Sequence, residues 1–381
     1  MSSTPLDEFT DLKLFITGPT WLRPEVRQAG CLPEFGHRDS ENVKRLGPAM
    51  AHLKTLAGAG PEHEVILFNG SGSTAMEAAV RSLVADGETV LHVVVGAFGD
   101  LWRNISLANG KKAELLSFAP GEAMDLDRLD AEVARLRPAV VAVTHNETST
   151  GVINDHLAAC RLIRGRGALP LVDGVSVFGG APVDLAGSGC AFYASATQKS
   201  LGLPAGFGIA VVSAEALEKA GKVAVRGYSS DILRQIERAR KNQTLTTPSA
   251  TLANQMAVQL DYIVNQEGVA ARFARHERLR DQARAFVAGL SGFDFFAPEG
   301  HRSPTVTAVL APEGWTMAKL KEVKEAMRAR GYLFDPGYGK LNQDLEAAGR
   351  RVCFRIGHMG DMQEQMLGTY LAELGEVLSR I

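Results

Sequence analysis

Three stretches of the chain combine residue types that chemistry uses. Gly70-Ser71-Gly72-Ser73-Thr74 stands between an apolar run ending at Phe68 and an amphipathic one that begins near Thr74. Such a turn can hold a phosphate: glycines let the backbone approach, unpaired N–H groups at a helix N-terminus point outward, and hydroxyls add donors. Taken alone it is equally a structural turn with a Ser/Thr cap. It is not a Walker loop, because no Gly-Lys-Ser/Thr follows at the required spacing. Asp173, in Leu-Val-Asp-Gly, ends an apolar run that reads as a strand. A carboxylate there either caps a turn or holds a proton on a heteroaromatic nitrogen. Lys199, in Ser-Ala-Thr-Gln-Lys-Ser-Leu-Gly-Leu-Pro, follows the next strand among small and apolar neighbours. Most lysines are solvated surface charges; desolvation here lowers the pKa and favours the neutral amine that imine formation needs.

Each feature is ambiguous alone, but in this order they are the parts of a pyridoxal 5'-phosphate site. Between the first two lies Gly96-Ala97-Phe98-Gly99, whose aromatic ring either joins the core or stacks on a pyridine face. His145-Asn146-Glu147-Thr148-Ser149-Thr150-Gly151 follows another strand and offers hydroxyls to a phenolic oxygen.

These residues need a scaffold, and the periodicity supplies one. Short β-branched runs at Val65–Phe68, Val90–Val95, Ala139–Thr144, Pro170–Val172, Ala191–Ala194 and Gly208–Val212 alternate with helical patterns at Thr74–Val84, Asp127–Leu136 and His156–Arg164. That is the grammar of a mostly parallel sheet covered by helices. Helical patterns at Thr251–Val264 and Val269–Leu290 lead out of it. Strands at Thr305–Leu310 and Arg351–Ile356 and helices at Met317–Arg330 and Met362–Arg380 then form a smaller α+β unit. The expected division is an N-terminal arm over 1–20, a large domain over 21–265 and a small C-terminal domain over 266–381.

Composition narrows the partners. With 381 residues, 45% hydrophobic, and Lys+Arg 41 against Asp+Glu 43, the net charge of -2 gives no broad attraction for nucleic acid or anionic lipid. Cys31, Cys160, Cys190 and Cys353 form no CxxC pair, so buried thiols in a reducing cytoplasm are expected, with no metal site. The first residues carry no signal-peptide or transit pattern, and no apolar run reaches the roughly 20 residues of a membrane span.

In order along the chain, Thr17-Gly18-Pro19-Thr20, the Gly-Ser-Gly turn, His-Asn-Glu-Thr-Ser-Thr-Gly, Val-Asp-Gly, Ser-Ala-Thr-Gln-Lys and Phe354-Arg355-Ile356-Gly357-His358-Met359-Gly360 resemble a class V aminotransferase of pyridoxal phosphate fold type I. The resemblance is nearest to the alanine–glyoxylate and serine–pyruvate aminotransferases and covers essentially the whole sequence. It implies an α/β fold with a large, mostly parallel-sheet domain and a smaller C-terminal α+β domain. It makes Lys199 the Schiff-base lysine and Asp173 the pyridinium partner, both catalytic. Phe98 becomes the stacking ring where many relatives have Trp. Ser71, Gly72 and Ser73, with Gln198 beside them, would hold the phosphate, and Thr148 would touch the phenolic oxygen. Thr246, in Thr246-Thr247-Pro248, would reach the phosphate of a neighbouring subunit, and Gln243 stands where some relatives have Tyr. Arg355 would bind the substrate's α-carboxylate as a planar fork, against the ordinary alternative of an ion pair.

The implied function is ping-pong transamination between a small amino acid, alanine or serine, and a 2-oxo acid such as glyoxylate or pyruvate, in a cytoplasmic homodimer with shared sites. Phosphoserine or 2-aminoethylphosphonate aminotransferase is the alternative; it would call for additional cations, which His37-Arg38 could supply. A cysteine desulfurase needs a mobile thiolate, and the loop Gly331–Gln343 has none. The segment Tyr332–Lys340, with Tyr338, either borders the pocket or, as its ordinary reading, is a surface connection.

Overall fold

The computed structural model describes residues 11–381; the first half of the expected N-terminal arm lies outside the described residues. Its centre is a seven-stranded sheet in the order His63–Gly70, Gly206–Ser213, Phe192–Ala196, Leu169–Asp173, Val140–Thr144, Thr89–Val94 and Lys112–Ser117. All neighbours pair in parallel except Gly206–Ser213, which is antiparallel to both of its own. Every residue of Val140–Thr144, Leu169–Asp173 and Phe192–Ala196 is buried, as expected where helices cover both faces of a parallel sheet.

The topology places the chemistry. Strands His63–Gly70, Leu169–Asp173 and Phe192–Ala196 run the same way, so the Gly70–Thr74 turn, Asp173 and Thr197-Gln198-Lys199 all emerge at one edge of the sheet. Register fixes the neighbours: Thr144 lies opposite Asp173, and Asp173 opposite Ala194. Ligands of open α/β sheets gather at this carboxyl edge.

A second sheet, Asp294–Phe295, Val306–Leu310 and Cys353–Gly357, is antiparallel, with Ala308 opposite Arg355. Helices Val269–Ala288, Met317–Ala329 and Glu364–Leu378 cover it around a separate apolar cluster that includes Leu279, Val309, Leu320, Leu374 and Phe15. Phe15 belongs there because Lys13–Leu14 pairs in parallel with Tyr332–Leu333 and the Phe15 ring stacks on Tyr370, centroids 4.0 Å apart. The chain then crosses from this cluster to the large sheet, which carries Thr17–Thr20 over Lys199.

The helix expected over Thr251–Val264 is α-helical only from Ala250 to Asp261; Tyr262–Glu267 is a π-helical turn, closed by Gly268 before the helix Val269–Ala288 begins. Below that turn lies the fully buried side chain of Arg272. It donates to Gly179 O (2.8 Å), Glu267 Oε2 (2.9 Å), Asp361 Oδ1 (2.8 Å) and Ser200 O (2.5 Å). The last of these is the carbonyl of the residue after Lys199. No described helix is long and apolar enough to cross a membrane.

Candidate active site

The Gly70–Thr74 turn opens the helix Gly72–Leu83. Ser71 caps it reciprocally with Thr74, the Ser71 N–H donating to Thr74 Oγ1 at 3.2 Å. Gly70 has φ 145, and a Cβ there would fall 2.2 Å from Thr74 Oγ1, so the turn requires glycine. Ser71 Oγ and Ser73 Oγ lie 2.9 Å apart, beside the first helical N–H groups, which have no partner within the helix. Hydroxyls and N–H groups thus converge as a phosphate requires.

Asp173 is buried at its strand end. Its Oδ1 accepts from the Val175 N–H at 2.9 Å, while the Asp173 carbonyl accepts from the His145 N–H at 2.8 Å. Burial pushes the carboxyl up to about 7; the Val175 N–H opposes this, Glu147 adds to it and Lys199 opposes it. A buried carboxylate with one hydrogen bond fits a cation against its second oxygen, which is what a protonated pyridine nitrogen supplies. Behind it, His145 Nδ1 lies 2.9 Å from Tyr193 Oη, and its ring stacks on His156 at 3.7 Å. Burial lowers the pKa of both imidazoles and favours their neutral forms.

Lys199 Nζ donates to Thr17 O, and Thr20 Oγ1 donates to Lys199 O at 3.2 Å. Gly18 has φ +107, and a Cβ there would meet Lys199 Cδ at 2.6 Å, so the chain passes over the lysine at a distance only glycine allows. Burial first, then the Arg355 charge, lowers the amine to about 8, against the pull of Asp335 and Asp173. A neutral fraction near neutral pH follows, as a nucleophilic amine requires.

Arg355 is not free. Its Nε and Nη2 both donate to Asp335 Oδ1 (3.2 and 3.0 Å), and Nη1 donates to Thr148 O at 3.2 Å. The ordinary alternative, an ion pair, is therefore present. The ion pair uses two of the five guanidinium N–H donors and the Thr148 carbonyl a third, which leaves two, the number one bidentate carboxylate takes. The Thr17 N–H and Oγ1 donate to Asp335 Oδ2 at 3.1 and 3.0 Å. One continuous network thus runs from Lys199 through Thr17 and Asp335 to Arg355 and Thr148.

The other expected residues fall around this network unevenly. Phe98 is the second residue of the helix Ala97–Ala108, and its ring centroid lies 5.8 Å from that of Tyr338. The Tyr332–Lys340 segment is therefore more than a surface connection: Tyr338, Lys340 and Leu341 wall a cavity of about 230 Å³ with Gly96, Ala97 and Phe118. A larger cavity of about 730 Å³, around Trp315, Glu346 and Arg351, touches none of the expected residues. The hydroxyls of the His145–Gly151 loop are partly used internally: Ser149 Oγ donates to Glu147 Oε1 (2.7 Å) and accepts from the Ala97 N–H (3.0 Å). Thr148 offers its carbonyl to Arg355, and Gln198 Oε1 is buried without a partner among the described residues.

Thr246 Oγ1 accepts from Asn69 Nδ2 of its own chain at 2.8 Å, one residue before the phosphate-type turn. Gln243 Oε1 accepts from Arg38 Nη1 at 3.2 Å, and Arg38 also donates to Thr244 O (2.7 Å) and Leu245 O (2.8 Å). Of the cysteines, Cys31 is exposed, against the expectation of buried thiols, and the other three are buried. Burial pushes Cys353 up to about 12, the opposite of an attacking thiolate.

Sequence reasoning missed Asn69 and Asp335; Thr17 and Glu147 stood in motifs it named without a role of their own, and Arg38, expected as a cation for a second anion, instead holds the Gln243–Leu245 segment. Asp335 sits in Phe-Asp-Pro-Gly, which reads as a turn; only its backbone bridge to Arg355 reveals it. Glu147 accepts the N–H groups of Phe98 (3.0 Å), Gly99 (3.3 Å) and Ser149 (2.9 Å), capping the helix that carries Phe98.

A family model described as Aminotransferase class-V matches residues 33–326. The serine–glyoxylate aminotransferase of Hyphomicrobium methylovorum is 32% identical over 368 residues, 94% of this chain and 87% of that one. The 2-aminoethylphosphonate–pyruvate transaminase of Syntrophobacter fumaroxidans is 31% identical over 356 residues, 91% of each. Among solved structures, alanine–glyoxylate aminotransferase from Nostoc sp. superposes with a TM-score of 0.87 at 26% identity, over 99% of this chain and 98% of that one.

Proposed function

Since the chain belongs to the class V aminotransferase family and takes pyridoxal 5'-phosphate as its cofactor, we propose that it transfers the amino group of alanine or serine to a small 2-oxo acid such as glyoxylate or pyruvate. The observation that carries this reading is the network joining a depressed lysine amine to a two-donor carboxylate fork beside a buried aspartate. When bound, the cofactor supplies a ring that accepts the electron pair left as the substrate's α-proton departs. Ser71, Gly72 and Ser73, at the helix N-terminus, would hold its phosphate, with Gln198 beside them, and Phe98 would stack on its ring.

Lys199 would hold the cofactor through Nζ, and its free amine would take the substrate's α-proton at the same atom. An amine near 8 is suited to both giving and taking a proton near neutrality. Asp173 would pair its carboxylate with the protonated ring nitrogen. Arg355 binds the α-carboxylate with its two remaining N–H groups and so orients the α-carbon toward Lys199. Thr148 supports the phenolic oxygen. The first keto acid leaves before the second substrate enters, so the kinetics are ping-pong.

Small donors are favoured because Arg38, the cation expected to serve a second anion, donates instead to the carbonyls of Thr244 and Leu245. The 2-aminoethylphosphonate relative keeps that substrate as the second reading. The proposal includes a homodimer in which Thr246, and Gln243 beside it, face the neighbouring subunit's cofactor, together with a division at 20/21 and 265/266 and a cytoplasmic location; light scattering of the purified protein reads the dimer. The activity test is product formation by the cofactor-loaded protein from alanine, serine, phosphoserine and 2-aminoethylphosphonate, each with glyoxylate or pyruvate. Turnover of alanine or serine with parallel double-reciprocal lines is expected. Turnover of only the phosphoryl or phosphonate donors contradicts the reading.

A further inference from the structure

Asp335 is held by more donors than a structural ion pair needs. Buried at 4% exposure, it accepts from Thr17 N and Oγ1, Gly337 N, and Arg355 Nε and Nη2, all between 3.0 and 3.2 Å. An ionised carboxylate offers about four lone-pair sites, so these five N–H and O–H groups occupy it fully and fix it in place. Its carboxylate therefore stands at the fork that receives the substrate's carboxylate.

Asp335 is the charged side chain in direct contact with the Arg355 fork. Lys199 is already drawn on by Asp173 and Asp335, and burial favours neutral His145 and His156. Arg355 brings one positive charge, Asp335 cancels it, and an arriving α-carboxylate makes the fork net negative. A substrate with one carboxylate tolerates this through its two hydrogen bonds. A second anionic group on the same substrate meets a fixed like charge in a site of low effective dielectric.

We propose that Asp335 is a specificity-determining residue, whose fixed carboxylate on Arg355 admits substrates with one anionic group and disfavours those with a second. The inference rests on the reading of Arg355 as the carboxylate site and narrows it: the donor is a neutral-side-chain amino acid rather than aspartate, glutamate or phosphoserine. Asp335 also positions Arg355, since the pair shares a backbone bridge in which the Arg355 N–H donates to Asp335 O at 3.0 Å.

The test is calorimetric titration of the cofactor-loaded protein with two unreactive probes, propionate and succinate, which reads binding without turnover. Wild type should bind propionate at least as tightly as succinate. Asp335→Asn should shift the succinate-to-propionate affinity ratio toward succinate by about tenfold, the order of one like-charge contact within a protein site. Asp335→Glu, which keeps the charge, should leave the ratio near wild type. Tighter binding of succinate by wild type overturns the proposal without any variant, and so does an unchanged ratio in folded Asp335→Asn. Arg355→Met separates the two claims: if it still binds propionate as wild type does, the carboxylate-site reading falls, whatever the ratio.

Discussion

Replacing Asp173 with asparagine should stabilise the cofactor-free protein, and only at high pH. The carboxyl is buried, accepts one N–H, and is pushed from 3.8 up to about 7. Because the folded pKa lies above the unfolded one, the folded state holds the proton more tightly. Its advantage is present below pH 4 and is lost as pH rises through about 7. Each pKa unit corresponds to about 1.4 kcal/mol, so the buried ionised carboxylate costs the empty fold on the order of 4 kcal/mol above that window. Asparagine never ionises and can still accept from the Val175 N–H. Urea unfolding of cofactor-stripped wild type and Asp173→Asn at pH 4 and pH 8 reads the difference directly, provided the slopes agree. The variant should gain a few kcal/mol over wild type at pH 8 and almost nothing at pH 4. Loading with pyridoxal phosphate should reverse the order at pH 8, because only the carboxylate pairs with a protonated ring. The same stability difference at both pH values would refute the reasoning.

Arg272→Met leaves the buried Asp361 without its main counter-charge and should destabilise the protein by about 3–5 kcal/mol in denaturant unfolding. Glu147→Gln turns an amide NH2 toward one of two pairs of donors, Phe98 and Gly99 N–H or Ser149 N–H and Oγ. The expected cost is about 1–3 kcal/mol, read as a lowered unfolding midpoint. Arg38→Met frees the carbonyls of Thr244 and Leu245, and should weaken retention of the cofactor on dialysis while leaving the unfolding midpoint nearly unchanged, since the contacts are with one half-exposed loop.

How much of this was legible in the sequence follows from how each part is made. Strands with an interior on both faces announce themselves as unbroken apolar runs, so Val140–Thr144, Leu169–Asp173 and Phe192–Ala196 were read within a residue or two. Lys112–Ser117 was missed because an edge strand can be polar: only Leu116 in it is buried. The helix Ala97–Ala108 was missed because its start lies in the Gly-Ala-Phe-Gly segment, where no side chain caps it in sequence; the capping carboxylate, Glu147, arrives from another loop. In the site, Lys199, Asp173 and the Ser71–Ser73 turn were readable because each stands at a strand end with a composition of its own. The roles of Asp335 and Thr17 were not, because Asp335 reaches Arg355 from 20 residues away, Thr17 reaches Lys199 from 182 and Asp335 from 318, and no local pattern records a hydrogen bond between separate segments.

The account stands on Lys199 as the residue that holds the cofactor. Wild type and Lys199→Ala, each incubated with pyridoxal 5'-phosphate, reduced with borohydride and digested, should differ in one peptide. The account predicts the cofactor's mass on the peptide containing Lys199 in wild type and on no peptide in the variant, with the visible absorption band of the unreduced protein lost in parallel. Labelling of another lysine in wild type, or an unchanged band in Lys199→Ala, would contradict it.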